Sequence, residues 1–583
     1  MKKNLILFLS LFPAVLAVGC NKREDPITGE YKEKAVNIYR RKNEVDKTMT
    51  LRFYEANPNI PYISVYDYFE EFFNTKLNKT NKDHKYVYTN KYNGSLIFDI
   101  KNNTFTSNGL SSFNNHPNFI ENTGKLFIQH SHSEATLNTV KTVSLEKYNI
   151  SLYEDDNAYV PLSLLSSLVG GLASYDIAYN GKDIYVLDHG GQLGVKTNPS
   201  YFGNSYFINN KEPRPEDVIN YTYNELCLVF DNLRGYTRQL HMGDANLLSY
   251  GLDGVLSRYY PKTKEYLLSP IKDNYYEGIY ALFNALNDGG HTGIISAPSE
   301  LTQVISKQSE EEFKNLIDDC SELSSEKVKV QVSFAGAKTK CIPTSGSNYY
   351  YYEEDCKTAY IGFDKFNVDY EGWDNYYIGL DEEPVYTDTY AFVRSKMIQA
   401  KEDGAKNLVL DLTTNGGGSS YALEGILGLF NGAVGYIRTR DTFNDYIVRE
   451  YHDIDANLDG KFDEADKQFA DSFNFNVGVL TSNYAFSCGN LLPFNMQEIG
   501  YKIIGEKTGG GSCAVAHDST IDGIVYVHSS YLCLVDENGQ NIDGGVDADF
   551  VIEKPQISTY LYDCSKFFDL SYVGNYLNTA YQQ

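Results

Sequence analysis

The stretch that decides the fold runs from Gly478 to Thr508. It reads Val479-Leu480-Thr481, then Ser482-Asn483-Tyr484-Ala485-Phe486-Ser487-Cys488, and later Ile503-Ile504-Gly505-Glu506-Lys507-Thr508. An apolar strand ends in polar residues, Ser487 stands where a helix begins, and a second short strand leads into a glycine-rich turn. A serine at such a junction exposes its hydroxyl at the positive end of the helix dipole, where an oxyanion is stabilised. Many serines at this position only cap a helix, so the stretch alone leaves cap and nucleophile both open.

Composition and charge narrow the class of protein. The chain has 583 residues, enough for roughly three or four domains of ~150 residues each. Hydrophobic residues make up 42% and charged residues 22%, which indicates a globular protein. The formal net charge of −26 argues against nucleic-acid binding, because that function needs a basic face. The same charge suits a protein exposed to an ionic exterior, and a calcium-binding one.

The N-terminus resembles a bacterial lipoprotein signal. An apolar run, Leu5–Val18, follows two lysines and is too short to span a bilayer. It ends in Ala17-Val18-Gly19-Cys20, which places small residues directly before a cysteine. We therefore expect residues 1–20 to be a signal peptide and Cys20 to be lipidated. The mature protein would then be anchored to a membrane in the cell envelope, outside the cytoplasm. The alternative is an ordinary secretory signal with a chance cysteine.

The next two regions carry no chemistry in their sequence. Residues 21–47 are polar and predict a tether. Residues 48–200 are rich in predicted strands and contain one pattern twice: a start marked by proline, a short amphipathic helix, and a hairpin turn at Asn93-Gly94 and again at Asn180-Gly181. This arrangement resembles the small repeat at the start of copper amine oxidases. The resemblance implies an α+β module for binding or spacing.

Eight cysteines follow Cys20. An even number in an exported protein permits disulfides. Three of them, Cys320, Cys341 and Cys356, fall in a polar connecting segment with one short predicted helix, and we expect a disulfide from this cluster. No two cysteines have metal-binding CxxC spacing, so no zinc site is predicted.

An acidic insertion, residues 453–469, fits the loop of an EF-hand. Counted from Asp455, oxygen-bearing side chains occupy positions one, three, five and nine, and Gly460 occupies position six. Position twelve is Asp466, where glutamate is usual, and the shorter side chain reduces its reach. The sequence predicts a structural Ca²⁺ held by Asp455, Asn457, Asp459, Lys461, Asp463 and Asp466. An acidic solvated loop is the alternative.

Two further motifs place chemistry-bearing groups in glycine-rich breaks. Asn287–Gly293 puts His291 after an apolar helix, and its glycines let the backbone bring the imidazole close to another group. Leu408–Leu412 reads as a buried strand that leads through Gly416-Gly417-Gly418 into a helix, which is one βα unit. The glycine run lacks the lysine of a P-loop and the spacing of a dinucleotide fingerprint. Its bare N–H groups can instead receive a carbonyl oxygen.

Taken in this order, the motifs resemble the S41 family of serine peptidases, which includes the tail-specific and C-terminal processing proteases and the tricorn core protease. Asp411–Gly418 is similar to the family's D-L-R-x-N-x-G-G strand end, and Ser487 falls where the nucleophile falls. Ile504–Gly511 is similar to the V-G-E-x-T-x-G turn. Gly545–Asp549 resembles the closing G-V-x-P-D motif, with Ala548 in place of proline.

The resemblance implies the fold. We expect an α/β protein with a crotonase/ClpP-like S41 protease core over residues 212–565, preceded by the small α+β repeat module.

The family has two catalytic versions, and one position distinguishes them. The processing proteases use a Ser–Lys dyad, but the place of that lysine is Gly511 here. Lys507 lies four residues early and is expected to point elsewhere. The tricorn-like version takes a histidine from a D-x-H-T motif, which Asp288–Thr292 resembles with one extra glycine. The resemblance therefore implies His291 as the catalytic base.

The resemblance also implies a role for each site residue. Ser487 attacks the peptide carbonyl, and His291 accepts the serine proton and returns it to the leaving amine. The N–H groups of Cys488 and Gly417 hold the oxyanion. An acid near the closing motif orients the imidazole, with Asp543 as the best match.

Some of these assignments have rivals within the sequence. Glu537 is the alternative to Asp543 as the orienting acid. Cys488 is a rival nucleophile next to Ser487, and His517 is a rival base.

The expected function is that of an exported, lipid-anchored serine endopeptidase. It would hydrolyse peptides or unfolded proteins through an acyl-enzyme, without a cofactor for catalysis. One alternative is a catalytically inactive S41-like lipoprotein that binds peptides or wall polymer through its N-terminal repeats. Another is a ligand-transport lipoprotein with an S41-derived shell.

Overall fold

A computed structural model of the chain describes residues 29–582, apart from 115–124, 192–194, 208–212, 236–241, 243, 297, 299–309, 344–347, 383 and 385–386. Cys20 and the predicted signal peptide lie outside the described residues. Within the described part of the chain, no helix has the length and apolar character needed to cross a membrane.

The strands are β1 (Tyr31–Tyr39), β2 (Lys47–Tyr54), β3 (Tyr62–Ser64), β4 (Asn78–Lys82), β5 (Lys85–Thr89), β6 (Ser95–Asp99), β7 (Thr104–Ser107), β8 (Ile128–Ala135), β9 (Lys141–Ser144), β10 (Tyr153–Glu154), β11 (Ala158–Pro161), β12 (Tyr175–Tyr179), β13 (Ile184–Asp188), β14 (Gly293–Ser296), β15 (Asn348–Glu353), β16 (Thr358–Phe363), β17 (Asn407–Asp411), β18 (Val434–Asp441), β19 (Tyr446–Ile454), β20 (Asn476–Thr481), β21 (Lys502–Gly505), β22 (Cys513–Ser519), β23 (Val525–Leu534), β24 (Phe550–Val551), β25 (Gln556–Ser558) and β26 (Leu561–Tyr562).

The helices are α1 (Val65–Phe73), α2 (Leu162–Val169), α3 (Pro199–Phe202), α4 (Glu216–Asn232), α5 (Asp244–Tyr259), α6 (Pro261–Leu267), α7 (Lys272–Ala285), α8 (Glu311–Cys341), α9 (Tyr370–Tyr377), α10 (Thr389–Glu402), α11 (Ser420–Gly428), α12 (Glu464–Asp471), α13 (Cys488–Glu498) and α14 (Leu570–Ala580).

The predicted tether, residues 21–47, is wrong for residues 31–39, which form strand β1, and its residues 21–28 lie outside the described residues. Strand β1 lies inside a seven-stranded sheet of order β10-β11-β3-β2-β1-β13-β12. It pairs antiparallel with β2 and parallel with β13. Val36 and Ile38 are buried in the core although the strand is otherwise polar. Two apolar residues at strand spacing anchor the segment, a signal too short to stand out in the sequence.

The repeated pattern of the N-terminal region is present in the structure. Strand β3 leads into α1, β11 leads into α2, and β3 and β11 pair antiparallel with each other. Hairpins follow at both expected turns, where Asn93 has φ 64° and Gly181 has φ 87°. The likeness of this region to the copper amine oxidase repeat stays a prediction.

The predicted boundary near residue 200 does not separate two sheets. Strand β8 comes from the predicted N-terminal module, yet it pairs antiparallel with β19 of the predicted peptidase domain. The resulting sheet has the order β14-β23-β18-β19-β8, with β22 also paired to β23. All but the first residue of β8 are exposed, so its sequence carries no apolar alternation that reveals its partner.

The predicted core region contains a six-stranded sheet of order β15-β16-β17-β20-β21-β24. Strands β16, β17, β20, β21 and β24 run parallel, and β15 is antiparallel to β16. In β17, Leu408 and Leu410 pack into one apolar cluster and Val409 into another, on the opposite face. Burial on both faces explains the continuous apolar run of this strand. The predicted α/β class is confirmed.

Among the disulfides expected from the Cys320, Cys341 and Cys356 cluster, a bond between Cys320 and Cys341 is excluded. Cys320 and Cys341 both lie on α8, which occupies most of the predicted connecting segment. Their separation of 21 residues places them about 32 Å apart along the helix axis, far beyond disulfide range. In the part of the chain that the structure describes, no disulfide joins any cysteine.

Candidate active site

Ser487 stands in a strained turn at the start of α13. Its backbone has φ 58° and ψ −121°, a region that residues with a side chain avoid. The Ser487 N–H donates to the Gly510 carbonyl at 2.8 Å, and its carbonyl accepts from the N–H of Leu491 at 3.0 Å. The Ser487 side chain makes no hydrogen bond that caps the helix. A tight strand-to-helix turn of this kind presents a nucleophilic hydroxyl.

The parallel sheet brings the glycine loop to this turn. Strands β17 and β20 are neighbours, and their carboxyl ends lead to Gly417 and Ser487 respectively. Gly417 has φ 106°, and a Cβ on it would lie 2.7 Å from the Ser487 Cβ and 2.9 Å from the Phe486 carbonyl oxygen. Only glycine fits at this approach.

The two predicted oxyanion donors differ in whether their N–H group already has a hydrogen-bond acceptor. The Gly417 N–H donates to Asn415 Oδ1 at 2.8 Å, so in this arrangement it is occupied. Among the described residues, the Cys488 N–H has no hydrogen-bond acceptor. The turn therefore offers one unoccupied amide beside Ser487, and a second would require Asn415 to release Gly417.

The ring of His291 contacts Phe486, the residue directly before Ser487. The rings of His291 and Phe486 are 4.8 Å apart and nearly perpendicular. The Nδ1 atom of His291 is buried and has no hydrogen-bond partner within the described residues, while the backbone of Cys513 hydrogen-bonds to the imidazole. The structure thus brings His291 to the Phe486-Ser487 dipeptide, but it contains no hydrogen bond between Ser487 and His291.

Phe486 explains two departures from the motifs of the family. A Cβ at Gly511 would lie 2.5 Å from Phe486 Cε1, and a Cβ at Gly290 would lie 3.1 Å from the same atom. The extra glycine before His291 and the glycine in place of the dyad lysine therefore both make room for this ring. A lysine at position 511 would collide with Phe486.

Asp288 fixes the backbone of the histidine turn. Its Oδ1 accepts from the N–H groups of His291 and Thr292 at 3.0 and 2.9 Å, and its Oδ2 accepts from the Ser529 hydroxyl at 2.7 Å. Burial raises the pKa of this carboxyl, but the charge of Arg234 and the hydroxyl hydrogen bonds outweigh burial and hold the pKa below its usual value. Asp288 is thus ionised, and it holds in place the backbone that carries the imidazole.

The electrostatic surroundings keep His291 neutral. Burial lowers the pKa of its imidazole below the usual value, and the charge of Lys327 adds to this effect. The negative charges of Asp288 and Asp543 oppose it without reversing it. A neutral imidazole at pH 7 is the form that a general base requires.

Of the two predicted orienting acids, Asp543 is placed better. It is buried, and its Oδ1 accepts from the N–H groups of Gly511 and Ser512, both at 2.9 Å. Its charge acts on the imidazole of His291. Glu537 is exposed, and its carbonyl accepts from Arg449 at the surface.

Lys327 is a site residue that sequence reasoning missed. Its Nζ lies 4.8 Å from the centre of the Phe486 ring and donates to the Gly289 carbonyl. Burial lowers the pKa of this ammonium, and the charge of Asp288 opposes the shift. No local signal distinguishes Lys327 from the other lysines of α8, because its partners are distant in sequence.

The rival residues are placed for other contacts. Burial raises the pKa of the Cys488 thiol to about 12, and its Sγ donates to the Gly418 carbonyl at 3.1 Å, so it is a poor nucleophile. His517 stacks on His189 of the N-terminal region at 4.4 Å, and burial lowers its pKa to about 4. Lys507 pairs with Asp547 at 3.2 Å.

The EF-hand-like loop is held by its own backbone. Asp455 accepts from the N–H of Gly460 at 2.9 Å and from the Tyr377 hydroxyl at 2.8 Å. Asp466 accepts from the N–H groups of Asn457 and Asp463 at 3.0 and 2.9 Å. Within the described residues, no group of three or more His, Cys, Asp or Glu side chains is arranged to hold a metal.

Burial raises the pKa of Asp455 because it disfavours the charged carboxylate. A bound cation would stabilise that charge. Other predicted ligands are turned to different partners: Asp463 caps α12, and Asp459 pairs with Lys461. The loop therefore fits a cation only in part, and calcium binding stays a prediction.

An open groove of about 400 Å³ runs beside the glycine loop. Its lining includes Gly416–Gly418 and Tyr484, together with Gln331 and Ala335 of α8. Asp364, Lys365 and Thr414 also line it, and Lys338 pairs with Asp364 at 3.1 Å. A groove of this size next to Ser487 can receive an extended segment of chain.

Comparison with known families finds a match over part of the chain. Residues 357–552, which are 196 of the 583 residues, match the sequence model described as peptidase family S41. The resemblance to S41 serine peptidases is confirmed over this segment, which holds the glycine loop, Ser487 and Asp543. The matched segment is therefore similar to an S41 peptidase domain. His291 lies outside the matched residues.

Three solved structures are similar to parts of this chain. A protein described as a peptidase from Parabacteroides merdae ATCC 43184 is 17% identical, with 59% of this chain and 91% of that chain covered and a TM-score of 0.38. A protein described as an S41 protease from Bacteroides fragilis NCTC 9343 is 15% identical, with coverages of 40% and 57% and a TM-score of 0.27. The photosystem II D1 C-terminal processing protease is 17% identical, with coverages of 36% and 49% and a TM-score of 0.26. No curated protein matches the chain.

Proposed function

We propose that this chain is an exported, lipid-anchored serine endopeptidase that cleaves peptides or unfolded proteins through an acyl-enzyme. The observation that carries the proposal is the strained turn at Ser487, whose side chain caps no helix and whose neighbouring Cys488 N–H is unoccupied. Strain of this kind persists where the surrounding structure enforces it, and it is common at active sites.

The chemistry follows from the groups at the turn. A peptide in the groove places its carbonyl carbon at Ser487 Oγ, which attacks while His291 Nδ1 takes the serine proton. The carbonyl oxygen becomes an oxyanion and accepts from the Cys488 N–H, and losing one such donor typically costs about 3 kcal/mol. The leaving amine then takes the proton from His291, and water repeats the sequence on the acyl-enzyme.

Two adjustments complete the site in this proposal. The imidazole of His291 must form a hydrogen bond with Ser487 Oγ, and Asn415 must release the Gly417 N–H. Catalytic hydrogen bonds are often long or absent before substrate binds, so an open geometry is compatible with activity.

A second candidate function rests on the same two features. If His291 and Ser487 never meet and Asn415 keeps Gly417, the chain is an inactive S41-like lipoprotein that binds peptide in the groove. The occupied Gly417 N–H favours this candidate.

A fluorophosphonate probe separates the two candidates. Wild-type protein should become covalently labelled and should cleave unfolded casein, whereas Ser487→Ala should do neither. Ser565→Ala, an exposed serine far along the chain, is the matched control and should behave as wild type. Wild-type protein that is folded but neither labelled nor active would overturn the peptidase proposal.

The membrane anchor has its own test. Protein expressed with its signal should partition into the detergent phase, and Cys20→Ala should move it to the aqueous phase. Unchanged partitioning of the variant would overturn lipidation at Cys20.

A further inference from the structure

Cys513 and Cys533 form a close pair of sulfurs behind the candidate active site. They are direct partners in the register of β22 and β23, and their Sγ atoms are 3.2 Å apart. Each residue is only 2% exposed. In the ladder that joins the two strands, this is a cross-strand pair on one face.

The backbone geometry of such a pair suits a disulfide. Directly opposed residues of antiparallel strands have Cα atoms about 4.5–5.5 Å apart. Disulfides span Cα distances of about 4.4–6.8 Å. The two sulfurs, which are 3.2 Å apart, must close to a bond of about 2.05 Å, and the register irregularity between Cys513 and Val515 lies directly beside them.

A neighbouring segment of the same chain, at Gly235, covers the two sulfurs. A Cβ on Gly235 would lie 2.6 Å from the Cys513 Sγ and 2.8 Å from the Cys533 Sγ. The Gly235 N–H donates to the Ser529 carbonyl at 3.1 Å, which holds this segment against β23. A glycine therefore covers both sulfurs directly, and other thiols cannot approach them in the folded protein.

We propose that Cys513 and Cys533 form a structural disulfide when the chain folds in an oxidising compartment. The oxidant is a small or protein disulfide. Both Sγ–H bonds break and the Sγ–Sγ bond forms, while the S–S bond of the oxidant breaks and takes up two electrons and two protons to give two thiols.

The bond forms before the fold closes over it. The hydrogen bond with Cys533 and burial raise the pKa of the Cys513 thiol, and exchange requires a thiolate. A folded, reduced chain should thus be oxidised slowly, and an oxidised chain should be reduced slowly.

The disulfide would brace the base of the candidate active site. Cys513 directly follows Gly511 and Ser512, whose N–H groups hold Asp543, and its own backbone hydrogen-bonds to His291. A covalent link from this point to β23 fixes the segment on which the imidazole rests.

Peptide mapping of the full chain tests the bond. Reduced, unfolded protein is refolded with oxidised glutathione, then denatured and alkylated without reductant. We expect a linked peptide pair joining Cys513 and Cys533 that disappears after reduction. Full alkylation of both cysteines in the refolded, unreduced protein would overturn the proposal. Because glutathione supplies the oxidant, this result does not depend on peptidase activity or on the proposed export.

Variants give a second measurement. Reductant present during refolding should lower the melting temperature of wild-type protein by about 3 °C, because the bond closes a loop of the unfolded chain. The Cys513→Ser/Cys533→Ser protein should show no such difference, and Cys341→Ser, an exposed cysteine, should keep it. Equal melting of oxidised and reduced wild-type protein would count against a structural role for the pair. Mapping of the wild-type chain decides the question even if the double variant does not fold.

Discussion

The turns that carry Ser487 and His291 are built in different ways. The serine turn lies at the carboxyl end of a central parallel strand, and its backbone is tied to Gly510 and Asn415 by main-chain hydrogen bonds. The histidine turn leads into β14, an edge strand of the sheet that contains β23, β18, β19 and β8, and the side chains of Asp288 and Lys327 hold the turn. The first turn is fixed by many backbone contacts and the second by few side chains. The difference indicates that the histidine side is the one that adjusts when a site closes.

Removing each catalytic group should have the largest effect. Ser487→Ala and His291→Ala should each lower kcat/KM by about 10⁴-fold, because the two groups act as one unit. The double variant should be no slower than either single variant. Steady-state kinetics on one unfolded substrate measures all three. A His291→Ala protein as active as wild type would contradict the hypothesis that His291 and Ser487 act together.

The contact between the glycine loop and the serine turn comes next. Gly417→Ala should lower kcat/KM by about 10²-fold or more, since a Cβ there displaces Ser487. Gly500→Ala is a matched control, because Gly500 has a similar φ of 100° and open space around its Cα. The control should lose stability from backbone strain but keep its rate. If both variants lost the same amount of activity, backbone strain alone would explain the effect of Gly417→Ala, and contact with Ser487 would not be needed.

The histidine side predicts a pH dependence. Burial and Lys327 lower the pKa of His291 below 6.5, so kcat/KM should rise with pH, with the midpoint of the rise below pH 6.5. Asp288 and Asp543, the carboxylates that act on the ring, oppose this shift. Lys327→Met removes a neighbouring positive charge, raises the pKa of His291, and moves the acid limb of the profile to higher pH.

The Lys327→Met variant should therefore be slower than wild type near pH 6 and equal to it at pH 8. Lys327→Arg should keep the wild-type profile because it keeps the charge. Lys329→Met, two residues along α8 with its Nζ over the Tyr562 ring, is the control for loss of a lysine. A profile unchanged by Lys327→Met would remove this residue from the site.

The predicted calcium loop gives the smallest expected effect. It precedes β20 and so belongs with the serine side of the comparison. If the loop binds Ca²⁺, chelation should lower the melting temperature by about 2 °C and leave the pH profile of His291 unchanged. Asp455→Asn should abolish the response to the chelator. Identical melting with and without chelator would contradict the prediction.

The sequence predicts the serine side better than the histidine side. The apolar run of β17, the glycine loop and Ser487 are local patterns, and each is where its motif indicates. The contact of Lys327 with Phe486 joins segments about 160 residues apart in sequence (327 to 486). Its helix, α8, is polar enough to look like a connection. Nothing local reveals such a contact.

Two other differences have the same origin. The sequence shows that position 511 is glycine and not the lysine of the Ser–Lys dyad. The contact with the Phe486 ring that explains this glycine is visible only in the structure. The Gly417 N–H is a predicted donor by motif, yet the Asn415 side chain that occupies it is invisible to spacing arguments. Motifs define groups, and tertiary packing decides which of them are available.

Strand β8 has a practical consequence for anyone who trims this protein. A recombinant fragment that starts at residue 212 would retain β19 but lose the strand that covers its outer edge. The N–H and C=O groups along that side would then be open to pairing with another molecule, a common cause of inclusion bodies. The predicted peptidase domain is therefore expected to be recovered in soluble form only when the N-terminal region is expressed with it or supplied as a separate chain.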